Sequence, residues 1–324
     1  MSGLAPGAAA FASAADTADK RVTFAELAPD RAYAYTAEGD PNTGVIVGDR
    51  GVMVVDTQAT PAMAADVIAR IAKVTDRPVT HILLSHYHAV RVLGASAYGA
   101  HTIIASRDTC DLIRERGEQD KASEIGRFPR LFRGVDSVPP GLTWPTLVFS
   151  GQLTIDLGGV SVEIRQVGRG HTKGDTIAWL PRERVLYAGD LVEYQTTCYC
   201  GDAYLRDWPA ALDALTALKP DKLVPGRGDA LTSAAACRSA IEATRAFISD
   251  LYAEVTRATA SGRSLRAVYG EVYAAMAKKY GQWVIFDHCM PFDVSRAYDE
   301  VTGHAHPRIW TDVRDREMWA ELTG

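Results

Sequence analysis

Several features that would assign the 324-residue chain to a special class are missing from its sequence. No run of 18 apolar residues occurs, so we expect no membrane-spanning helix. The net charge is −5 and no basic stripe stands out, which argues against nucleic acid as a partner. Residues 1–20 contain no basic residue before Lys20, so this Ala-, Ser- and Gly-rich stretch predicts a disordered tail and not a secretory signal.

Cysteine is also scarce. The chain has five cysteines, and an odd number in a chain of this length fits a reducing compartment better than a disulfide framework. We therefore predict a cytoplasmic protein. Cys198 and Cys200 flank Tyr199 and form a candidate metal or redox pair. Their spacing is tight and the sequence has no matching second pair, which favours reduced, structural thiols.

Two histidines one residue apart are the strongest local signal in the chain. A short apolar run, residues 81–84, predicts a buried strand that ends just before His86 and His88. In extended or turned backbone, both rings of such a pair can reach one cation. Imidazole nitrogen suits zinc and iron, and open catalytic sites often combine three protein ligands with a water. A candidate third ligand, His171, lies in Gly-His-Thr-Lys-Gly-Asp.

Together these segments resemble the metallo-β-lactamase superfamily. That family has a His-x-His-x-Asp-His stretch, a Gly-His-Thr-x-Gly-Asp stretch, an Asp in Gly-Asp after a strand, and a His in a Pro-Gly-His-Gly-like turn. Similar stretches occur here in the same order at residues 86–91, 170–175, 186–190 and 224–228. The resemblance spans roughly residues 40–232 and implies an α/β fold, a four-layer αββα sandwich with its site at one edge, where strand ends meet.

Three positions depart from the family pattern. Val90 stands where the family has Asp, and Arg91 and Arg227 stand where it has His. In the family, all three residues belong to the second of two metal positions. The losses are therefore confined to one position, and the resemblance implies a variant that has lost its second metal ion.

The residues of the first metal position are all present. The resemblance assigns His86, His88 and His171 as ligands of one divalent ion, with Zn²⁺ as the first choice and Fe²⁺ or Mn²⁺ as alternatives. Asp190 matches the carboxylate that bridges both metals in the family, so it is either a fourth ligand or a base.

Arg91 and Arg227 are predicted to contribute to catalysis as fixed positive charges, because arginine stays protonated. They either pair with Asp190 and keep it ionised, or clamp an anionic group of a substrate. Both uses remain open, and we slightly favour pairing.

The leading functional hypothesis is a hydrolase that uses a single metal ion to activate water. Its substrate would be a small ester, lactone, amide or activated aromatic carbon compound, with an anionic or aromatic group. One alternative is a mononuclear iron oxygenase on the same fold. The other is a binding protein that has lost turnover. The sequence does not choose among the substrates.

The rest of the chain frames this site. Residues 43–105 read as strands alternating with helices, which predicts parallel strands. A helix is expected after the cap Thr60, another over residues 107–120, and a third after the cap Asp207. Asp56, at a strand end, is either a hydrogen-bond partner of a metal-bound histidine, as in the family, or a turn residue. Residues 121–145 predict a long irregular segment, either a lid over an apolar substrate or a hydrophobic anchor.

The composition changes near residue 233. We predict a metallo-β-lactamase-like domain over residues 21–232 and a helical C-terminal extension over residues 233–324. The extension would close over the site, buttress a sheet or form a homodimer contact. His288 within it is a candidate pocket residue, although a lone histidine is more often structural.

Overall fold

Two β-sheets form the centre of the molecule. The computed structural model describes residues 20–260 and 262–323, so the tail predicted for residues 1–20 falls outside the described residues except for Lys20. The first sheet contains, in spatial order, β1 (Val22–Ala28), β2 (Ala32–Ala37), β3 (Asp40–Gly48), β4 (Gly51–Val55), β5 (Val79–Leu83), β6 (Thr102–Ser106) and β7 (Leu147–Phe149). The second contains β12 (Lys222–Pro225), β11 (Val185–Gly189), β10 (Thr176–Leu180), β9 (Ser161–Gln166) and β8 (Gln152–Asp156).

Eight α-helices surround these sheets in the described part of the chain. They are α1 (Pro61–Ile71), α2 (Ala89–Val92), α3 (Arg107–Arg127), α4 (Trp208–Ala217), α5 (Ala234–Thr259), α6 (Leu265–Tyr280), α7 (Phe286–Val301) and α8 (Asp312–Thr323). None of the described helices is both long enough and apolar enough to cross a membrane.

The strand pairing follows from the connections. Strands β1 to β4 pair antiparallel, and Gly48 lies opposite Gly51 in the tight turn between β3 and β4. Strands β4 to β7 pair parallel, with helices between them, which confirms the predicted parallel element. In the second sheet only β11 and β12 are parallel, and α4 connects them. Parallel strands share one end, so the loops that follow β5 and β11 can supply a site at a single edge.

Alternation along β3 shows how the four layers are built. Ile46 faces the second sheet and packs in the same cluster as Leu180 of β10. Val45 points to the opposite face and packs with Val67 of α1. Because successive strand residues point to opposite faces, each sheet buries one face against the other sheet and one against helices. The predicted αββα sandwich is thus confirmed.

The helix starts were predicted with mixed success. Thr60 caps α1, since its side chain accepts a hydrogen bond from the Met63 amide at 3.1 Å. Asp207 directly precedes α4 but makes no side-chain cap hydrogen bond. Its carboxylate pairs instead with Arg169. The prediction that Asp207 caps this helix is therefore wrong, although the helix begins at the expected residue.

Helix α3 is longer than predicted. It runs to Arg127, so residues 121–127 are helical and the irregular segment begins only at Phe128. The last turns carry buried polar side chains, among them Ser123, Glu124 and Arg127. Ser123 donates a hydrogen bond of 2.8 Å to Asp315 of α8. Lys121, Ala122 and Glu124 favour a helix by themselves, so the prediction of an irregular segment from residue 121 is wrong, and the tertiary contacts add to that preference.

The C-terminal extension packs against the outer face of the second sheet. Trp179 of β10 and Leu186 of β11 share an apolar cluster with Phe247 of α5 and Phe292 of α7. The buttress that we predicted is therefore present. Through α8 the extension also reaches α3 on the first-sheet side, so it crosses the edge at which the candidate site lies.

Candidate metal centre

The predicted metal ligands come from three loops at one edge of the sandwich. His86 and His88 lie between β5 and α2. His171 lies in the loop between β9 and β10, and Asp190 directly follows β11. All four residues are at least 95% buried. Ends of parallel strands therefore position His86, His88 and Asp190, while His171 lies in the loop that joins the antiparallel strands β9 and β10.

The three imidazole rings converge on one point. Their ring centroids are 4.6 to 4.8 Å apart, and one nitrogen from each lies within 4.8 Å of the other two. Among the described residues, this is the group of His, Cys, Asp or Glu side chains that is spaced to hold an ion. Ligand atoms in a tetrahedral zinc site with bonds of about 2.0 Å lie about 3.3 Å apart, so small ring shifts would complete the coordination.

The outer nitrogen of each ring makes a hydrogen bond that fixes which nitrogen faces the centre. His171 Nδ1 donates to the Tyr199 carbonyl at 2.9 Å. His88 Nε2 donates to Asp202 Oδ2 at 3.2 Å. His86 Nδ1 donates to Ser85 Oγ at 2.9 Å, because that hydroxyl itself donates to Asp56. Consequently His171 Nε2, His88 Nδ1 and His86 Nε2 face inward.

These inward nitrogens need positive charge between them. His171 Nε2 lies 3.0 Å from His88 Nδ1, and His86 Nε2 is buried without a hydrogen-bond partner. A proton on His88 would satisfy the first contact but would leave His86 Nε2 unpaired. A divalent cation would satisfy all three nitrogens at once, so the residues present fit a metal ion.

The pKa values of the histidines differ according to their neighbours. Burial lowers the pKa of His171 to about 3 and that of His86 well below its usual value. Burial also opposes the charged form of His88, but the hydrogen bond to Asp202 and the charge of Asp120 raise its pKa to about 9. Two of the rings are therefore neutral, as metal binding requires, and His88 would lose its proton when a cation binds.

Two arginines hold Asp190. Arg91 Nη2 contacts Asp190 Oδ1, and Arg227 Nη1 lies 3.2 Å from Asp190 Oδ2. The same Oδ2 lies 3.8 Å from His86 Nε2 and 3.7 Å from His171 Nε2. Burial would raise the pKa of Asp190, but Arg91, then His86 and Arg227, outweigh it and hold that pKa well below its usual range. The carboxylate is ionised and faces the proposed ion.

The two arginines differ in what else they contact. Arg91 is fully buried and donates to the carbonyls of Asn42 at 3.1 Å and Gly226 at 2.9 Å. Arg227 lines the central cavity and also lies 3.4 Å from Glu193. Both contact Asp190, as the pairing hypothesis expects, but of the two only Arg227 lines the space in which a substrate group could bind. Their catalytic roles stay predictions.

Sequence reasoning missed the carboxylate that orients His88. Asp202 accepts from His88 and also pairs with Arg116 Nη1 at 3.1 Å. Burial alone would raise the pKa of Asp202, but the hydrogen bond from His88 outweighs it and lowers that pKa to about 2. The sequence gives no signal for this contact, because Asp202 lies 114 residues from His88 in an irregular loop.

Asp56 reaches the site indirectly. It accepts from the Ser85 amide at 2.9 Å and from the Ser85 hydroxyl at 2.8 Å, and that hydroxyl contacts His86. The backbone of Asp56 is left-handed, with φ of 61°, so it is also a turn residue. The predicted turn role is thus present, whereas Asp56 contacts His86 through Ser85 and not by the direct hydrogen bond that the resemblance implied.

The cavity at the centre is small. Its volume, measured as the space open to the centre of a water molecule, is about 10 Å³, which is room for about one water. Side chains from α3, from the loop after β11 and from the C-terminal extension cover it. The lining residues are His88, Val90, Glu124, Phe128, His171, Asp190, Tyr199, Arg227, Ile285 and Cys289.

This lining bears on two further expectations. Phe128, the first residue after α3, lines the cavity, but it is also buried with Phe132 in an apolar core cluster, so the lid and the anchor both stay open. His288 does not line it and instead lies against the Phe128 ring, with centroids 3.6 Å apart, which agrees with the structural role. Cys198 and Cys200 are buried free thiols. The residue between them, Tyr199, contacts the site through its carbonyl, which orients His171.

Comparison with known proteins agrees with this geometry. The family model of the metallo-β-lactamase superfamily matches residues 36–227, which contain every predicted site residue. The chain belongs to the metallo-β-lactamase superfamily. One relative, the type 2 metallo-β-lactamase of Bacillus cereus, is 22% identical over 205 residues, which are 60% of this chain and 70% of that protein.

Two solved structures extend the comparison within the superfamily. A metallo-β-lactamase from Pontibacter korlensis has a TM-score of 0.55 at 19% identity and covers 71% of this chain and 99% of its own. A stereoselective inverting sec-alkylsulfatase from Pseudomonas sp. has a TM-score of 0.69 at 15% identity and covers 86% of this chain. This chain spans half the length of that alkylsulfatase. At these identities the likeness shows the fold alone.

Proposed function

We propose that this protein is a hydrolase that uses one divalent metal ion, held by His86, His88 and His171. Zinc is the first candidate and iron or manganese are the alternatives. The observation that carries the single-ion proposal is the contact of both Arg91 and Arg227 with Asp190, beside the three histidines.

Electrostatics supports one ion and disfavours a second. Asp190 already balances one of the two guanidinium charges, and the arginines flank it on both sides. At an effective dielectric constant of about 20, a divalent ion about 4 Å from one guanidinium group is repelled by about 8 kcal/mol. The lining offers the carboxylates of Glu124 and Asp190, but Asp190 is already paired with both arginines and the Asp and two His ligands of the family pattern are absent, so a second ion would lack a ligand set.

The residues of the chain divide the work of hydrolysis. A bound divalent ion lowers the pKa of a water and polarises the bond to be cleaved. Asp190, ionised and facing the histidines, accepts a hydrogen bond from that water and orients it. A group whose pKa is held so low is a poor general base, so we assign Asp190 to orientation and metal binding. Arg227, which lines the cavity, stabilises negative charge that develops on the substrate.

The small cavity restricts how a substrate reaches the metal. Space for one water does not admit an ester or lactone, so Phe128 and Ile285 have to move aside. Both are apolar, which suits a substrate with an aromatic or alkyl portion next to the bond that is cleaved. We keep esters, lactones, amides and activated aromatic carbon as the substrate classes.

Sulfate esters are a second candidate class. The alkylsulfatase structure covers 86% of this chain, against 71% for the lactamase structure, so its fold includes more of the region outside the lactamase-like domain. A sulfate ester also carries the anionic group that Arg227 would bind under the clamp alternative, which the Arg227→Lys variant tests.

The test begins with elemental analysis of the purified protein. We expect about one metal ion per chain, and a loss of that ion in His171→Ala but not in the control His81→Ala, which changes a histidine of β5. Hydrolysis of aryl esters, lactones, amides or sulfate esters that stops on chelation and returns with metal would support the proposal. Iron with substrate-dependent oxygen uptake would favour the oxygenase, and absence of metal would favour the binding protein.

The proposal also covers the location of the protein, its partners and its oligomeric state. All five cysteines are buried and unpaired, which supports a reducing, cytoplasmic location. A small-molecule substrate without a nucleic-acid or membrane partner, and a homodimer through the C-terminal helices, stay predictions. The oligomeric state can be measured by light scattering.

A further inference from the structure

We propose that Glu124 of α3 is the residue that accepts and returns the proton during hydrolysis. This inference rests on the proposed hydrolase function and deepens it. Nothing in the family pattern points to this residue, because α3 lies outside the matched motifs.

The position of Glu124 meets the first requirement, access to the reacting water. It is 96% buried and lines the water-sized cavity together with His88, His171 and Asp190. Its Oε2 accepts from the Val90 amide at 3.0 Å. Val90 is the position where the family pattern has its aspartate, so helix α3 brings a carboxylate beside a site that lacks one.

The partners of Glu124 leave it freer than Asp190. The cavity lining, within the described residues, contains these two carboxylates. Asp190 is held by two guanidinium groups, Arg91 and Arg227. Glu124 Oε1 lies 3.9 Å from Arg127 Nη2, which is beyond hydrogen-bond distance, and the charge of Arg227 in the same lining also acts on Glu124. Arg127 itself donates to the Tyr199 hydroxyl at 3.0 Å, so its charge is shared. A proton acceptor needs a carboxylate oxygen that is not already firmly paired, and Glu124 Oε1 is paired with arginine more loosely than either oxygen of Asp190.

Atoms, protons and electrons balance in the proposed hydrolysis step. As the water oxygen bonds to the carbon or sulfur under attack, one water proton passes to a Glu124 oxygen. As the bond to the leaving group breaks, its electron pair stays on the leaving oxygen or nitrogen, and Glu124 returns the proton to that atom. One water is consumed for each bond cleaved, and the carboxylate is regenerated.

The test is Glu124→Gln in the metal-loaded protein. The amide oxygen of glutamine can still accept from the Val90 amide, so we expect normal folding and metal content. We expect kcat to fall by about 10²- to 10⁴-fold with little change in KM, and one limb of the pH profile of kcat/KM to disappear. Substrates with a poor leaving group should lose more activity than nitrophenyl substrates, because a nitrophenolate leaves without a proton. Glu124→Asp should regain part of the rate.

Glu118→Gln is the control on the same helix. Glu118 undergoes the same chemical change on α3, but it is exposed and does not line the cavity. We expect less than a tenfold change in kcat and an unaltered leaving-group dependence. An equal loss in both variants, or a wild-type pH profile in Glu124→Gln, would overturn the assignment.

A measurement without turnover separates the two proposals. Infrared difference spectra of wild type against Glu124→Gln, recorded with and without metal, should show a Glu124 carboxylate band that shifts on metal loading, because a water held at the metal would donate to it. A band that does not move on metal loading contradicts the inference even if no substrate is found. Absence of hydrolysis in a protein whose Glu124 band does move would instead count against the proposed function.

Discussion

Arg227 Nη1 lies 3.2 Å from Asp190 Oδ2, and both side chains are at least 95% buried. Arg91 contacts the other oxygen of the same carboxylate. Two guanidinium groups thus surround one carboxylate where the family pattern has histidines. A buried carboxylate with this much positive charge around it remains ionised, and the carboxylate in turn holds both arginines in place.

We expect Arg227→Lys to leave the preference between anionic and neutral substrates unchanged. Arg227 Nη1 already contacts both Asp190 and Glu193, so its main interaction is pairing and not clamping. Metal content should also stay the same, because lysine keeps the positive charge. The measurement is the ratio of KM for an anionic substrate to KM for its neutral analogue. A rise in that ratio of tenfold or more would show that Arg227 binds the anionic group.

The second metal position should be recoverable. We expect the triple variant Val90→Asp, Arg91→His and Arg227→His to bind two metal ions per chain, because it removes two positive charges and restores three ligands of the family pattern. The single variant Val90→Asp is the control and should bind one ion, since both arginines still repel a second. Elemental analysis gives the ratio. A ratio of one in the folded triple variant would show that the arginines are not what excludes the second ion.

Asp202 should control metal affinity without touching the metal. We expect Asp202→Asn to weaken metal binding by about 10- to 100-fold, because His88 loses the charged acceptor that orients its ring. Competition with a chromophoric chelator measures the affinity. Asp207→Asn, which removes an exposed carboxylate paired with Arg169, is the control and should have wild-type affinity. If both variants bind metal equally well, Asp202 does not orient the ligand.

The ligands of the site were predictable because each lies in a short motif at a strand end. His86 and His88 follow an apolar run, and Asp190 follows β11, so local sequence carries both the strand and the residue placed at its end. Alternation of apolar residues likewise predicts the strands and their buried faces. These features depend on interactions between near neighbours, which the sequence displays directly.

The carboxylates around the ligands were not predictable. Glu124 and Asp202 reach the site from a helix end and from an irregular loop, 34 residues from Val90 and 114 residues from His88. The buried surroundings of these two carboxylates form only after the C-terminal extension packs across the site edge of the sandwich and buries α3. The pairing of Ser123 with Asp315, 192 residues away, likewise fixes the last turns of α3 at a distance that no local pattern displays.

Glycine at position 226 should be essential for the pairing of Arg91 with Asp190. A Cβ atom there would overlap Asp190 Oδ1 and lie 3.0 Å from Arg91 Nη2, both of which are fixed by their pairing. We expect Gly226→Ala to lower metal content and to destabilise the protein by about 1–3 kcal/mol. Gly270→Ala is the matched control, because Gly270 is an exposed position of α6 and its Cβ would meet nothing within 4 Å. It should stabilise the protein by about 0.5–1 kcal/mol in denaturant unfolding. A stable, metal-binding Gly226→Ala protein would contradict this packing.

Glu193 should make the protein less stable as the pH rises. Burial, then the charge of Asp190, raises the pKa of Glu193 to about 8, and Arg227 at 3.4 Å offsets this only in part. In the unfolded chain the same group titrates near its ordinary value of about 4.3. Between those two values the folded state binds more protons than the unfolded state, so the free energy of unfolding falls by at most about 1.4 kcal/mol per pH unit. Glu193→Gln cannot titrate, so its stability relative to wild type should be greater at pH values above about 8 than below about 4. Urea unfolding of both metal-free proteins across that pH range measures the difference. If the free energies of unfolding of the two proteins change with pH in parallel, Glu193 is ionised in the folded protein throughout.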